Sequence, residues 1–401
     1  MNKQKFLISW SFQILILLLS AWLGFIATFF PVGIFWIGFA IILTAGLSWV
    51  LPRIKKKMEQ ETAHFLDSET DPSTIPVVIV TVQHNEGKTI VGNITQYLQY
   101  SLNLKCRVYD DASTDGSFEE LQRIQNEYPN RLEVIPLRKE GYQMHPQGIA
   151  WQNAFRSIES GVLLLIDADS VISEKHLRNA LQLLFTKKWD AIHFSRRNTF
   201  SESAGTRIGD TDETMQTCGK ILGLFSFHYL GSGILLSAQT AKDLEMRKKV
   251  FSNDSEMGRI MNTLGKKTFF SPSMEVIERA PSTLRKIISQ RKSWFRNAVL
   301  QYLEHNFWAL TLGSFFAPQF LLGLFSFSSL SALLLGMTFA GYLILSMTGQ
   351  ILIGRRSFLS GLRNALLLIG VFFVSYTLLF IWELLLAPKT AHTLAYKKNQ
   401  V

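Results

Sequence analysis

The stretch Val162-Leu-Leu-Leu-Ile-Asp-Ala-Asp-Ser170 runs five apolar residues straight into two carboxylates one residue apart. A run this short, apolar at odd and even positions alike, predicts a strand buried on both faces, as in a parallel sheet covered by helices. Charge begins where the strand ends, so Asp167 and Asp169 are expected at the carboxyl end of the sheet, where ligands of such folds bind. Neighbouring carboxylates repel unless a cation or a hydrogen-bond donor lies between them. Mg²⁺ or Mn²⁺, usually held by one or two carboxylates plus substrate phosphates, suits such a pair. A lone D-x-D is common by chance, and its place after a strand is what gives it weight.

Working outward, Pro76 to Val82 is a second β-branched run of strand length, followed by a helical stretch from Lys88 to Tyr100. Cys106 to Tyr109 and Leu132 to Leu137 read as further strands, and 117–127, 147–159 and 173–186 as helices. Trp189 to Phe194 is a candidate fifth strand. Strand alternating with helix predicts an α/β domain with a mostly parallel sheet and helices on both faces. The acidic cluster DDASTD at 110–115 also follows a strand directly. Its Asp115 or Ser113 would serve as a helix cap, and a carboxylate there would equally accept hydrogen bonds from a base or ribose.

Composition changes sharply outside this region. No Asp, Glu, Lys or Arg occurs from Phe6 to Pro52 or from Asn306 to Gly354. A bilayer crossing takes about 20 apolar helical residues, so each run is long enough for two. Spans are expected near 7–29, 33–51, 307–327, 330–352 and 364–386. A signal peptide is the alternative for 1–29, but a second span follows at once and no small-residue cleavage pattern stands out. Arg53, Lys55, Lys56, Lys57, Arg296, Arg355, Arg356 and Arg363 flank the spans and place the middle region in the cytoplasm of a multi-pass inner or plasma membrane protein. The expected organisation is a transmembrane hairpin at 1–53, a cytoplasmic catalytic domain at 54–281 and an amphipathic interface helix at 282–305. Transmembrane helices at 306–388 and a tail at 389–401 complete it. In 282–305, apolar Leu284, Ile287, Ile288, Phe295, Val299 and Tyr302 alternate with basic residues, which suits a helix lying in the bilayer interface or packed on the domain.

The net charge of +10 is largely a property of the flanks, because residues 53–305 hold 33 Lys and Arg against 30 Asp and Glu. A nucleic-acid reader would concentrate basic charge in its domain, so no nucleic-acid partner is expected. Cys106 and Cys218 are isolated, and the eight histidines show no metal-ligand spacing, so neither a disulfide framework nor a zinc site is implied.

Five patches now stand in order: VQHNEG at 82–87, DDASTD at 110–115, DAD at 167–169, NDSE at 253–256 and QRKSW at 290–294. On these the chain resembles the membrane-integrated, inverting family 2 glycosyltransferases, such as bacterial poly-N-acetylglucosamine, hyaluronan, chitin and cellulose synthases. The resemblance covers roughly residues 54–305 and implies a GT-A-like domain flanked by transmembrane helices. It implies transfer of a sugar from a nucleotide sugar, a UDP-sugar, to a lipid or polysaccharide acceptor, with Mg²⁺ or Mn²⁺ as cofactor and membrane lipids as surroundings. By position, Gln83 and Glu86 match residues that hold the nucleoside, Asp111 the contact to the base, and Asp167 a residue near the ribose and diphosphate. Asp169 matches the metal ligand and Asp254 the general base. Gln290, Arg291 and Trp294 match the patch near the diphosphate and acceptor entrance. Ser232 and Gly233 resemble the small-residue loop beside the sugar, for which a plain turn competes equally.

Three departures stand out. Asn253 replaces the Glu usual before the base, Ser293 replaces the Arg usual before the tryptophan, and Gln147 falls where a Lys is common. Arg138, Lys139 or Arg291 would supply the missing charge near a diphosphate. Single transfer to a lipid and repeated addition to a polysaccharide both remain open, as does a membrane-anchored nucleotide-binding or scaffolding protein without catalysis.

Overall fold

The structure, a computed structural model, describes residues 71–138, 145–198, 203–221, 233–246, 253–279, 285–290, 343–353 and 359–368. Isolated positions at 46, 49–50, 52–54, 56, 60, 281, 283 and 357 are also described. Two compact units result. One comprises Lys57–Thr199 and Phe227–Arg279, and the other Met1–Lys56, Phe200–Ser226 and Ala280–Val401.

In the first unit the strands are β1 (Val77–Gln83), β2 (Leu104–Asp110), β3 (Leu132–Pro136), β4 (Val162–Ile166), β5 (Ser170–Ile172), β6 (Ala191–Asn198), β7 (Gly233–Ser237) and β8 (Thr268–Glu278). Its helices are α1 (Gly87–Leu98), α2 (Ser117–Glu127), α3 (Pro146–Ser157), α4 (Glu174–Thr186), α6 (Ala238–Asp243) and α7 (Asn253–Thr263), while α5 (Ala204–Ile221) belongs to the second unit. Every strand and helix expected between 76 and 194 is present, with ends shifted by a few residues.

The strands form one sheet in the order β3-β2-β1-β4-β7-β6-β8-β5. β3, β2, β1 and β4 run parallel, with Gln83 opposite Asp110 and Val80 opposite Leu165. Beyond β4 the expectation of a mostly parallel sheet needs correcting. β7 pairs antiparallel with β4 and β6, and β5 antiparallel with β8, so the sheet is mixed. The strands that change its character are those with the weakest local pattern. β5 has three residues, and β7 lies in a Gly-Ser-Gly stretch that also suits a turn. β8 contains Pro272, a residue that argues against an interior strand. It is accommodated by a register shift: Phe194 faces Ser271 while Ser195 faces Glu275. The Ser195 hydroxyl lies within hydrogen-bond distance of the Pro272 and Met274 carbonyls inside that bulge, at 3.3 and 3.2 Å.

β4 is buried on both faces, and alternate residues feed two cores. Val162, Leu164 and Ile166 pack with Ile90 and Ile94 of α1, Leu121 of α2 and Leu177 of α4. Leu163 and Leu165 pack with Trp151 and Phe155 of α3, Ala241 of α6 and Met257 of α7. Helices therefore cover both faces as expected, and each buried Leu or Ile contributes about 1.5–3 kcal/mol.

In the second unit, Asp210 and Thr214 of α5 accept hydrogen bonds from the Gln350 amide at 3.1 and 3.0 Å. Asn364 donates to the Gln350 carbonyl at 3.1 Å. Gly349 opens a π-helical turn, Gly349–Ile353, where an added Cβ would stand 2.6 Å from the Thr214 backbone. Of the five expected membrane spans, 7–29 and 307–327 lie outside the described residues, and the other three are described only in part, at 46 and 49–50, 343–352 and 364–368. Among the described residues no helix is long and apolar enough to cross a membrane.

The start of β4 makes a sharp stability prediction. Gly161 has φ +80°, and a Cβ there would meet the Pro76 carbonyl at 2.1 Å, the same oxygen that accepts the Val162 N–H at 2.9 Å. Gly161→Ala is expected to lower the unfolding free energy of the full chain by at least about 2 kcal/mol. Gly92→Ala, in α1 with no atom within 4 Å of the added Cβ, should raise it by about 0.5–1 kcal/mol. Denaturant titration of both variants is the check, and a Gly161→Ala protein as stable as its parent would refute the close approach.

Candidate active site

The site is built at the carboxyl ends of β1, β2 and β4, around the point where the parallel order reverses between β1 and β4. After Ile166 the chain turns at once: the Ser170 N–H donates to the Asp167 carbonyl at 3.1 Å, making a four-residue turn that carries both carboxylates. Asp167 and Asp169 are half-buried. Gln147 donates from Nε2 to Asp167 Oδ1 at 2.5 Å. It stands in the first turn of α3, whose N-cap is His145 with Pro146 behind it, so its position follows from how that helix begins. The glutamine at the expected lysine position is thus bonded directly to the first carboxylate.

Gly233 is the first residue of β7 and pairs with Ile166, next to the turn. A Cβ there would lie 2.8 Å from Val276 Cγ2 and 3.2 Å from the Phe194 ring, so the absence of a side chain is a packing requirement. Ser232 lies outside the described residues.

Beneath the turn, Arg196 of β6 and Glu278 of β8 form an ion pair at 2.6 Å with side chains only 7% exposed. Burial pushes the Asp167 carboxyl well above the usual carboxylate range. The charge of Glu278 adds to this and Arg196 opposes it, while Asp169 and Asp254 push in the same direction as burial. Asp169 is raised as well, by burial first, against the pull of Arg196 and Arg279. Glu86 is raised by burial and then by the Asp169 charge, with Arg279 opposing. Glu86, Asp167, Asp169, Asp254 and Glu278 therefore lie within one electrostatic neighbourhood, although they are spread over nearly 200 residues of chain.

The two loops after β1 and β2 interlock. Gln83 is fully buried, and both ends of its amide are used internally. Its Nε2 donates to Asp110 Oδ1, and its Oε1 accepts from the Ser117 hydroxyl at 3.0 Å. Asp110, also buried, takes the Ser113 N–H at 3.1 Å. Asn85, at φ 57°, accepts the Thr114 N–H at 2.7 Å, and its own N–H donates to Ser113 Oγ at 3.1 Å. Asp111 donates its N–H to the Gln83 carbonyl at 2.9 Å and is half-buried, as is Glu86. Asp115 accepts the Ser117 N–H at 3.1 Å, the helix-start role that suits this cluster. Gln83 thus organises the loops from inside, and Asp111 and Glu86 are the members on the open side.

Asp254 lies in the first turn of α7, half-buried, and its charge adds to the upward push on the Asp167 carboxyl. Asn253, where Glu was expected by resemblance, is buried, and Glu256 one turn on is fully buried and paired with Arg259 at 2.9 Å. Gln290 belongs to the second unit, and Arg291 and Trp294 lie outside the described residues. Asp110, Arg196 and Glu278 escaped the sequence reading. Asp110 carried a signal as the first carboxylate of its cluster. Arg196 and Glu278 carried none, because only the parallel pairing of β6 with β8 brings them together.

Among the described residues no group of three or more His, Cys, Asp and Glu side chains is arranged to enclose a metal ion. What the turn offers is a carboxylate pair with raised proton affinity in an acidic surround. This donor set fits a hard divalent cation that completes its shell with phosphate oxygens and water.

The family model described as Glycosyl transferase family 2 matches residues 78–233, and the one described as Glycosyl transferase family group 2 matches residues 162–345. No curated protein matches the chain in sequence. Among solved structures the chain is similar to the mannosyltransferase PcManGT from Pyrobaculum calidifontis in complex with GDP-Man and Mn²⁺. Identity is 16% over 90% of this chain and 98% of that one, with a TM-score of 0.47. It is also similar to mannosyl-3-phosphoglycerate synthase from Rubrobacter xylanophilus, at 15% identity over 61% and 84% of the two chains and a TM-score of 0.42. A third is GalNAc-T7 with UDP, GalNAc and Mn²⁺, at 13% identity over 51% of this chain and 43% of that one, with a TM-score of 0.39. The two family matches overlap and together run from β1 through the Asp167–Asp169 turn to the Asp254 helix and beyond, and the chain is a glycosyltransferase.

Proposed function

We propose that this glycosyltransferase moves a sugar from a UDP-sugar to a lipid or glycan acceptor at the cytoplasmic face of a membrane, with inversion at the anomeric carbon. The observation that carries the reading is the packing of α7 through Met257 with Leu163 and Leu165 of β4, which puts Asp254 in the same electrostatic neighbourhood as the Asp167–Asp169 turn. A base and a leaving-group site must face one reacting carbon, and this juxtaposition satisfies that demand.

In this reading Asp111 and Glu86 border the nucleoside, held in place by the buried Gln83–Asp110–Ser117 network. Gln147 and Asp167 face the ribose and diphosphate, and Asp169 would hold Mg²⁺ or Mn²⁺, which would supply neutralisation of the charge developing on the departing diphosphate. Asp254 takes the proton of the acceptor hydroxyl as that oxygen bonds to the anomeric carbon. The bond from this carbon to the diphosphate oxygen breaks on the opposite face, which inverts the configuration. The charge-free runs before and after the domain support a membrane setting.

Three measurements test this. Asp254→Asn should lower turnover on the order of 10²-fold or more while leaving donor KM near its parental value, read as nucleoside diphosphate release. Turnover near the parental rate would leave Asp254 with the role of a first-turn carboxylate at a helix N-terminus only.

The second concerns pH. Asp167 and Asp169 have raised folded-state pKa values, so they favour the metal-free fold when protonated. That contribution is complete below their unfolded value of about 3.9 and is lost as pH rises through the raised values. Added Mn²⁺ should therefore stabilise the protein more at about pH 8 than at about pH 5. A thermal shift independent of pH would count against the assigned carboxylates.

Third, a reporter fused after Lys57 should give a cytoplasmic signal. A signal from the opposite side of the membrane would separate the active site from its nucleotide sugar and overturn the orientation.

A further inference from the structure

We infer that Asn93 is a positioning residue for the metal-binding turn, an inference that rests on the reading of Asp169 as cation ligand. Asn93 lies on α1, and its Nδ2 is within hydrogen-bond distance of two carbonyls, Ala168 O at 2.9 Å and Ser170 O at 3.3 Å. These carbonyls stand on either side of Asp169. Ala168 O belongs to the central peptide of the turn closed by the Ser170 N–H and the Asp167 carbonyl, 3.1 Å apart.

The central peptide is the soft element of any four-residue turn, because the two common turn types differ by its flip. The flipped form requires positive φ at the third residue, here Asp169, which is not among the residues of positive φ. A donor fixed on Ala168 O holds the unflipped peptide. A donor on Ser170 O fixes the peptide that leaves the turn, so one amide ties the central peptide, which precedes Asp169, and the peptide that follows Ser170.

The clamp continues along the same side of the helix. The Tyr97 hydroxyl accepts the Ile172 N–H at 3.2 Å and lies 3.5 Å from Ser170 O, and the Tyr100 hydroxyl donates to Ile172 O at 2.7 Å. Tyr97 is buried, and Ile90 and Ile94 beside it anchor α1 in the sheet core, so the amide is presented from a rigid support. Asn93 is also the polar exception beside a buried apolar stripe, and packing alone does not call for an amide there.

Outer-shell partners that orient a ligand typically change metal affinity by about 10–100-fold when removed. The test is Mn²⁺ binding to the purified full chain, with and without UDP, followed by electron paramagnetic resonance. Turnover as a function of Mn²⁺ and the metal-free unfolding midpoint complete it. Asn93→Leu should weaken Mn²⁺ binding by about 10–100-fold, with turnover restored to within a few-fold at saturating Mn²⁺. Thr95→Ala, on an exposed part of the same helix, should bind Mn²⁺ as the parent does. If Asn93→Leu does not fold, Asn93→Ala carries the same expectation. A folded Asn93 variant with parental Mn²⁺ affinity overturns the inference and leaves the metal reading intact. A parent protein that binds no Mn²⁺ under either condition overturns both.

Discussion

Everything in the catalytic unit depends on how β4 ends. Five apolar residues paired on both edges and buried on both faces stop at Ile166, and the next four residues carry two carboxylates. A strand so enclosed cannot shift register without exposing one core, so the position of Asp167 and Asp169 relative to β1 and β7 is set by packing. Gly161 starts this strand against Pro76, and Gly233 lets β7 close beside its end. Hydrophobic burial thus does the placing, and the polar turn is carried to the sheet edge as a consequence.

That placement creates an electrostatic cost. Several carboxylates share a neighbourhood in which burial already disfavours ionisation, and the Arg196 guanidinium is part of the response. Its own pairing with Glu278 is buried, and removing one partner of such a pair typically destabilises by about 3–5 kcal/mol. The pair therefore ties the charge balance of the site to the β6–β8 pairing. The remaining excess of negative charge is what makes the turn suited to a divalent cation and a diphosphate arriving together.

The two loops after β1 and β2 use a different device. Gln83, Asp110 and Ser117 satisfy one another in the interior, and Asn85 and Ser113 lock one loop to the other. A buried polar network of this kind is rigid when its members are paired, so the half-exposed Asp111 and Glu86 are presented without further ordering. The resemblance singled out Gln83, just after the first expected strand, as a residue that would hold the nucleoside. Its inward direction was not legible, because a strand end gives no indication of which face its last side chain takes when the following loop folds back.

The sequence by itself determined the parts that local patterns encode. Continuous apolar runs marked the inner strands, helical periodicity marked the covering helices, and abrupt charge at strand ends marked Asp111, Asp167 and Asp169. Motif order pointed to family 2 glycosyltransferases, and the charge-free flanks pointed to a membrane. Only the tertiary structure decided that β7 enters antiparallel beside β4, that a bulge at Pro272 keeps β8 in the sheet, and that Arg196 meets Glu278 beneath the turn. It alone showed that Asn93 holds the carbonyls around Asp169 from 75 residues away. The reason is physical: periodicity records whether a residue is buried, but the partner it is buried against depends on strand order and register, which no stretch of chain specifies alone.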